Sequence, residues 1–180
     1  MYKSEVEINK DVKTMIDTAL AFYEVPDFTV LLQKQPINFK VKNPTILFNR
    51  VNTKPIGYQF AKDKILDGEL KTVESRLVDI TYQITGIKKR PDITTASEIT
   101  SGDAIQKIWL FFNSRSGLAL AKKLGYGIIK CKEILEPSFI DSSNFYERSP
   151  KIDLVLNRVQ AIASNQNHIT QFNNGTIKGV

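Results

Sequence analysis

Arg76-Leu77-Val78-Asp79-Ile80-Thr81-Tyr82-Gln83-Ile84-Thr85 is the stretch on which the fold turns. Val78, Ile80, Tyr82 and Ile84 are apolar, and Asp79, Thr81, Gln83 and Thr85 between them are polar. Side chains alternate across a strand, so Ser75 to Ile87 predicts one buried and one wet face, the pattern of an antiparallel sheet. Working outward, a long amphipathic helix is expected from about Asp103 to Leu124. Ile105, Ile108, Trp109, Phe112, Ala119, Leu120 and Leu124 fall on one stripe at about 100° per residue. Asp103 followed by Gln106 resembles a capping box, and Gly125 is the usual left-handed stop. Phe111 and Leu118 lie a heptad apart, off that stripe; they could pack beneath a loop or face another subunit. A short apolar strand from Gly127 to Leu135 follows. Tyr146-Glu147-Arg148 then leads into a second alternating strand, carrying Ile152, Leu154 and Leu156 and reaching to about Ala161. Strand, helix, strand, strand in that order makes one sheet covered by a helix.

The first half is less strongly patterned. Val12, Met15, Ile16, Ala19, Leu20 and Tyr23 fall at helical spacing, Ser4 and Glu7 are placed to cap the start, and Pro26 opposes continuation. Four of the seven prolines lie between residues 25 and 60: Pro26, Pro36, Pro44 and Pro55. Proline removes a ladder donor, so only short or edge strands are expected here, with Thr29 to Leu32 and Thr45 to Val51 the best candidates. Residues 61–74 are charged, contain Asp67-Gly68, and read as an exposed loop; residues 88–100 read as another. In the tail, His168 to Phe172 and Thr176 to Val180 flank Asn174-Gly175, a favoured hairpin turn. A lone hairpin is marginal in water and needs the domain or a neighbouring chain to lean on. The expected class is α+β: an antiparallel or mixed sheet packed by one long helix and an N-terminal helix, with extended loops and a C-terminal hairpin arm. Residues 1–162 read as a single domain and 163–180 as the arm.

Composition narrows the function classes. At 180 residues and 20.4 kDa, with 42% hydrophobic and 24% charged residues, the chain is an ordinary size for one globular domain. No apolar run is long enough to cross a bilayer, and the charged start does not read as a signal peptide. The single cysteine, Cys131, cannot form an internal disulfide, which fits a reducing compartment. A net charge of +6 permits contact with nucleic acid or an acidic surface. The basic residues are scattered, however, and the longest run is Lys88-Lys89-Arg90.

The sequence carries no motif that groups reactive side chains. The single histidine, His168, sits in the polar tail without convergent partners for base or metal-ligand work. Cys131 lies in an apolar strand and reads as a small buried hydrophobe with no base to activate it. Gly125-Tyr126-Gly127 joins helix to strand, the reverse of the order that places phosphate on a helix start. The carboxylates are dispersed, with no spacing that suggests an acid–base pair. Lys88-Lys89-Arg90 could grip phosphate or simply be a solvated loop exit. Tyr146, Glu147 and Arg148 could form a buried hydrogen-bonded network or a pairing edge between subunits.

These features together carry a family resemblance. The Arg76-to-Ile84 strand, the helix with Ala119-Leu120-Ala121 near its end, the Gly127-Ile128-Ile129 strand and the Tyr146-Glu147-Arg148 lead into the final strand resemble the tail-terminator, or neck-terminator, proteins of tailed bacteriophages. Ile46-Leu47-Phe48-Asn49-Arg50 fits less specifically. The resemblance covers roughly half the chain. It implies a mixed α+β fold and a ring, commonly a hexamer, at the head-proximal end of the tail. Such a ring caps the tail tube, stops its growth and joins the tube to the neck.

Partners implied are other copies of the chain, tube and sheath proteins, and head-completion or connector proteins, within a virion assembled in the host cytoplasm. Genome DNA would pass through the lumen without specific binding; Lys88, Lys89 and Arg90 are the weak candidates to touch it. No catalysis, cofactor, metal or membrane is expected. Phe111, Leu118, Tyr146, Glu147, Arg148, Phe172 and Ile177 are the subunit-interface candidates. The alternatives are another phage head–tail joining or tail-tube protein, or a small basic nucleic-acid-binding module. A hydrolase or transferase built from dispersed residues is disfavoured for want of a convergent reactive set.

Overall fold

A computed structural model describes residues 3–25, 27–33, 44–66, 68–87, 99–136, 138–140 and 146–165. In chain order the elements are α1 (Glu5–Phe22), β1 (Thr29–Leu32), β2 (Thr45–Leu66), β3 (Glu69–Ile87), α2 (Ser101–Phe112), α3 (Arg115–Lys123), β4 (Gly127–Cys131), β5 (Ser138–Ile140), β6 (Tyr146–Arg148) and β7 (Lys151–Asn165). Five strands form one mixed sheet in the order β1-β2-β3-β7-β4; only the β1–β2 pair is parallel. β5 and β6 form a separate two-stranded ribbon. The α+β class expected from the sequence is the class observed.

The alternation around Tyr82 governs the core. Val78, Ile80, Tyr82 and Ile84 of β3 are buried beside Ile152, Leu154 and Leu156 of β7, and Ile46 and Phe48 of β2 continue the layer. Onto this face α1 lays Ile8, Val12, Met15, Ile16, Ala19 and Leu20, residues at helical spacing on one stripe. α2 adds Ala104, Ile105, Ile108, Phe111 and Phe112. Side chains of this size contribute about 1.5–3 kcal/mol each when fully buried, which makes the layer the main source of stability. Tyr82 is fully buried, so its hydroxyl needs a partner; it donates to Asn9 Oδ1 at 2.6 Å, joining sheet to α1. Burial pushes its phenol up to about 12.

The N-terminal helix starts as the sequence predicts, with a reciprocal Ser4–Glu7 capping box. The Ser4 amide and hydroxyl both donate to the Glu7 carboxylate, and these bonds hold that group below its ordinary pKa. The long helix expected from Asp103 to Leu124 is instead two helices. Its first cap is a reciprocal Thr100–Asp103 box, three residues earlier than the Asp103–Gln106 pairing. α2 ends at Asn113, and Ser114 caps α3 by accepting from the Gly117 amide at 3.2 Å. The segment Asn113-Ser114-Arg115-Ser116-Gly117 is rich in residues that compete with helix hydrogen bonding, which is why the helix breaks there. The break also shifts the buried face: Gly117 and Ala121 are buried in α3, whereas Ala119 is exposed.

Two further expectations change. Residues 61–74 are not a loop. β2 and β3 pair from Thr45↔Ile87 to Leu66↔Glu69, so the two strands form one hairpin with Gly68 in its tight connection. Gly68 takes φ +80°, a conformation that glycine adopts without strain. β2 is therefore 22 residues long despite Pro55. The proline is tolerated because β1 pairs only as far as Phe48, leaving Pro55 on an edge among the described residues. The strand expected from Gly127 to Leu135 is shorter, ending at Cys131 with an isolated Leu135↔Lys151 bridge beyond. β7 runs on to Asn165, past Ala161. The Asn174-Gly175 hairpin lies outside the described residues.

Gly117 marks where α3 crosses the end of α2. A Cβ there would collide with the Phe111 carbonyl. Gly117→Ala should therefore destabilise by about 1–3 kcal/mol in urea unfolding, opposite in sign to the usual helix Gly→Ala gain. Ser116→Ala, at an exposed neighbour, should stay within about 0.5 kcal/mol of the parent.

Candidate docking surfaces

The longest-reaching feature is an arm. Beyond Lys54, where β4 ends its pairing with β7 at Gly127↔Asn157, the sheet narrows to β2, β3 and β7, with Ile56↔Leu77↔Val159 near the root of the arm. The pairing continues through Phe60↔Ser75↔Ala161 to Lys71↔Asn165. Register shifts between Arg50 and Asn52 and between Ile56 and Phe60 place bulges in β2, which bend and twist a strand. The alternation carries on along the arm. Phe60, Leu77 and Val159 continue the sheet face away from the helices, and all three are exposed, at 71%, 37% and 58%. Tyr58, in the second bulge, is 97% exposed. Apolar side chains of this size on a projecting ribbon make the arm a candidate contact surface.

The root of the arm is braced by α1. Arg50 of β2 pairs with Glu5 at 3.0 Å. A cavity of about 160 Å³ lies between them, lined by Lys3, Ile8, Thr53, Val78, Arg158 and Gln160 among others. Lys3 Nζ donates to Asp11 Oδ2 at 2.6 Å and to the Leu124 carbonyl at 2.7 Å. The Tyr126 hydroxyl donates to the same Asp11 oxygen at 2.8 Å. Lys3 and Arg158 both approach the Tyr126 ring, with centroid distances of 5.0 and 5.9 Å. Burial and the hydrogen bond to Asp11 push the Tyr126 phenol strongly up. These groups spend their charge on one another, so the cluster is a bracket that fixes the arm relative to the helices. In the sequence Tyr126 stands out only within a helix-to-strand turn and Arg50 only within an apolar segment, and Lys3, Asp11 and Arg158 carry no signal. They lie far apart in the chain, and only the pairing of Asp11 with Lys3 and Tyr126 across the fold brings them together.

The residues picked from the sequence are distributed as follows. Phe111 is in the core, 2% exposed, with ring contacts to Phe22 and Phe112; its side chain faces the interior and not a neighbour. Leu118 of α3 is 47% exposed, and Leu110 of α2 is 42% exposed. Tyr146, Glu147 and Arg148 form β6, paired with Ile140, Phe139 and Ser138. They are thus a strand of their own before β7, rather than its entrance. Lys88, Lys89, Arg90, His168, Phe172 and Ile177 lie outside the described residues.

Among the described residues no group of three or more His, Cys, Asp or Glu is placed to hold a metal ion, and no helix is long and apolar enough to cross a membrane. Cys131 is a half-buried thiol whose pKa is raised to about 12, first by burial and then by the nearby Asp153 carboxylate. Asp153 itself is held below its ordinary range. Its partial burial works the other way but is outweighed by hydrogen bonds from Lys132, at 2.9 Å, and Gln83, at 3.3 Å.

The comparisons agree with this picture. A family model described as E217 gateway protein gp29 matches residues 7–168. The chain belongs to that family. No curated protein matches it. Among solved structures, one similar chain is the sheath/tube terminator of an extracellular contractile injection system (PVC) in its extended state, seen by cryo-EM. The TM-score is 0.53 at 10% identity, covering 100% of this chain and 65% of that one. At that identity the likeness is one of fold, and this chain spans about two-thirds of that protein's length.

The raised pKa has a testable consequence. Thiolate, the reactive form, is scarce at pH 8, so Cys131 in the native protein should react with iodoacetamide on the order of a hundredfold more slowly than an unhindered thiol. The rate should climb about tenfold per pH unit between pH 8 and 10 and jump on unfolding in urea. Mass-spectrometric labelling time courses would measure it.

Proposed function

We propose that this protein is a structural tail terminator: a ring-forming protein that caps the head-proximal end of a phage-type tail tube and joins it to the neck. The observation that carries the reading is the gateway-protein family match across residues 7–168, nearly the whole folded body. The fold likeness to a sheath/tube terminator supports it, and so does the arm. A protein that meets copies of itself and two different partners needs several contact surfaces on a small body, and strands projecting from a braced sheet supply them.

In this reading the arm reaches toward the tube end, with Tyr58, Phe60, Leu77 and Val159 as its apolar contacts. The helical layer, where Leu110 and Leu118 are exposed, faces other components. Partners are tube and sheath proteins on one side and connector or head-completion proteins on the other. The ring is a hexamer, and genome DNA threads its lumen without being gripped. The protein performs no catalysis; it resides in the virion tail and is assembled in the host cytoplasm. The polypeptide beyond Asn165, including Phe172 and Ile177, and the strand Tyr146-Glu147-Arg148 are further contact candidates. Trimming residues 166–180 should weaken assembly more than it weakens the monomer fold.

The arm supplies the direct test. Tyr58→Ser combined with Phe60→Ser changes exposed side chains only, so the melting temperature should move by no more than a few degrees. Negative-stain counts of capped tube ends should fall at least tenfold. Unchanged capping would remove the arm from the tube contact, and purified parent protein that ignores tube ends would overturn the terminator reading altogether.

A further inference from the structure

The arm has two outer flanks, and they are built differently. On the β2 side, β1 stops at Phe48, so residues 49–66 have no outward strand neighbour among the described residues. That flank carries the features that keep a stray strand away: Pro55, two register shifts, and exposed Lys54, Lys62, Asp63 and Lys64. On the β7 side, β4 stops at Gly127↔Asn157, which leaves residues 158–165 open in the same way. This flank has no such protection. Arg158-Val159-Gln160-Ala161-Ile162-Ala163-Ser164-Asn165 holds one charge, at its root, and neither proline nor glycine. Its register with β3 is unbroken. A regular edge of low charge is a template for another strand, and natural sheets cover or blunt such edges.

The chain itself supplies a strand at the right place, because residues 166–180 follow directly on this edge. A reversal over Gln166-Asn167 sets Asn165 opposite His168, Ala163 opposite Thr170 and Ala161 opposite Phe172. A four-residue reversal sets Phe172 opposite Ala163 instead. Opposed residues share a face, so either register places Phe172 over an alanine on the side away from the helices, where a small neighbour leaves room for the ring. Asn174-Gly175 as a two-residue turn then sets Ile177 opposite Phe172. In the first register one row across the sheet reads Phe60, Ser75, Ala161, Phe172, Ile177. Closing so short a loop costs little chain entropy, which favours the chain's own tail over a strand from elsewhere.

We propose that the C-terminal tail folds back on the open edge of its own β7, with residues 168–172 as the added strand, and brings Phe172 and Ile177 onto the apolar face of Phe60, Leu77 and Val159. The occupant of the edge is this chain's own residues 166–180. The arm is thereby widened on its unprotected side, and its exposed apolar row is lengthened by two large side chains. The pairing stands without the terminator reading; the use of the widened face as the tube contact rests on that reading.

Hydrogen exchange of the full chain, read by mass spectrometry, tests the pairing. In residues 158–165 alternate amides point toward β3 and the others outward. The outward set should be protected in the parent. In full-length Thr170→Pro, whose proline cannot donate to a ladder, that set should exchange on the order of tenfold faster or more. A chain ending at Asn165 should behave the same way. Peptides from the core, such as Val78 to Ile84, should be unchanged in both, which establishes that they fold. Parent outward amides that already exchange as fast as in the shortened chain overturn the pairing. A cysteine pair then identifies whose tail is bound: Ala161→Cys with Phe172→Cys, in a Cys131→Ala background. Under mild oxidation the expected product is a disulfide within one chain. A ladder of linked chains overturns the fold-back in favour of a neighbour's tail. Neither readout involves tube ends, so parent protein that ignores tubes would remove the terminator reading and leave the fold-back standing.

Discussion

The structure depends on β3 being paired on both sides along nearly its whole length. β2 lies against it from Thr45↔Ile87 to Leu66↔Glu69, and β7 from Thr85↔Lys151 to Lys71↔Asn165. A strand held on both edges has its backbone groups satisfied without help from helices. That allows the sheet to leave the helical layer and continue as an arm. One half of β3 is covered by helices and holds the core residues Val78 to Ile84; the other half is covered by nothing among the described residues and bears the exposed face. The same strand thus stabilises the body and carries exposed apolar side chains along the arm.

The polar bracket explains how such an arm keeps its direction. A three-stranded ribbon alone would bend at its bulges. Here the salt bridge from Glu5 to Arg50 and the Lys3–Asp11–Tyr126 cluster tie the start of α1 to the base of the ribbon and to the end of α3. Lys3, Asp11 and Tyr126 are partly or fully buried and hydrogen-bonded to one another, so they stay partnered, whereas the Glu5–Arg50 pair is more exposed and adds less. Their chemistry is that of positioning, consistent with a protein whose work is assembly. The thiol of Cys131 is likewise held protonated, by burial and by the nearby Asp153 carboxylate.

The elements legible in the sequence were those whose own pattern suffices. The alternation about Tyr82 and about Leu154 is strict, the Ser4–Glu7 pair sits at capping distance, and Thr29 to Leu32 stands out among prolines. The α2–α3 break was missed because an apolar stripe can be drawn through it; the Ser114 hydroxyl and the missing Cβ of Gly117 decide otherwise. The arm was missed because residues 61–74 alternate with charges rather than with a clear apolar face. In a strand with little buried surface the periodic signal fades, leaving only Asp67-Gly68 to announce a hairpin.

By itself the sequence determined the class of fold, the buried face of each central strand and the start of the first helix. These are local properties, written in periods of two and 3.6 residues. Only the tertiary structure decided that Phe111 turns inward, that Lys3, Asp11 and Tyr126 meet, and that β2, β3 and β7 run on together past the helices. Such outcomes depend on strand order and register, which join residues a hundred positions apart and which no local period encodes.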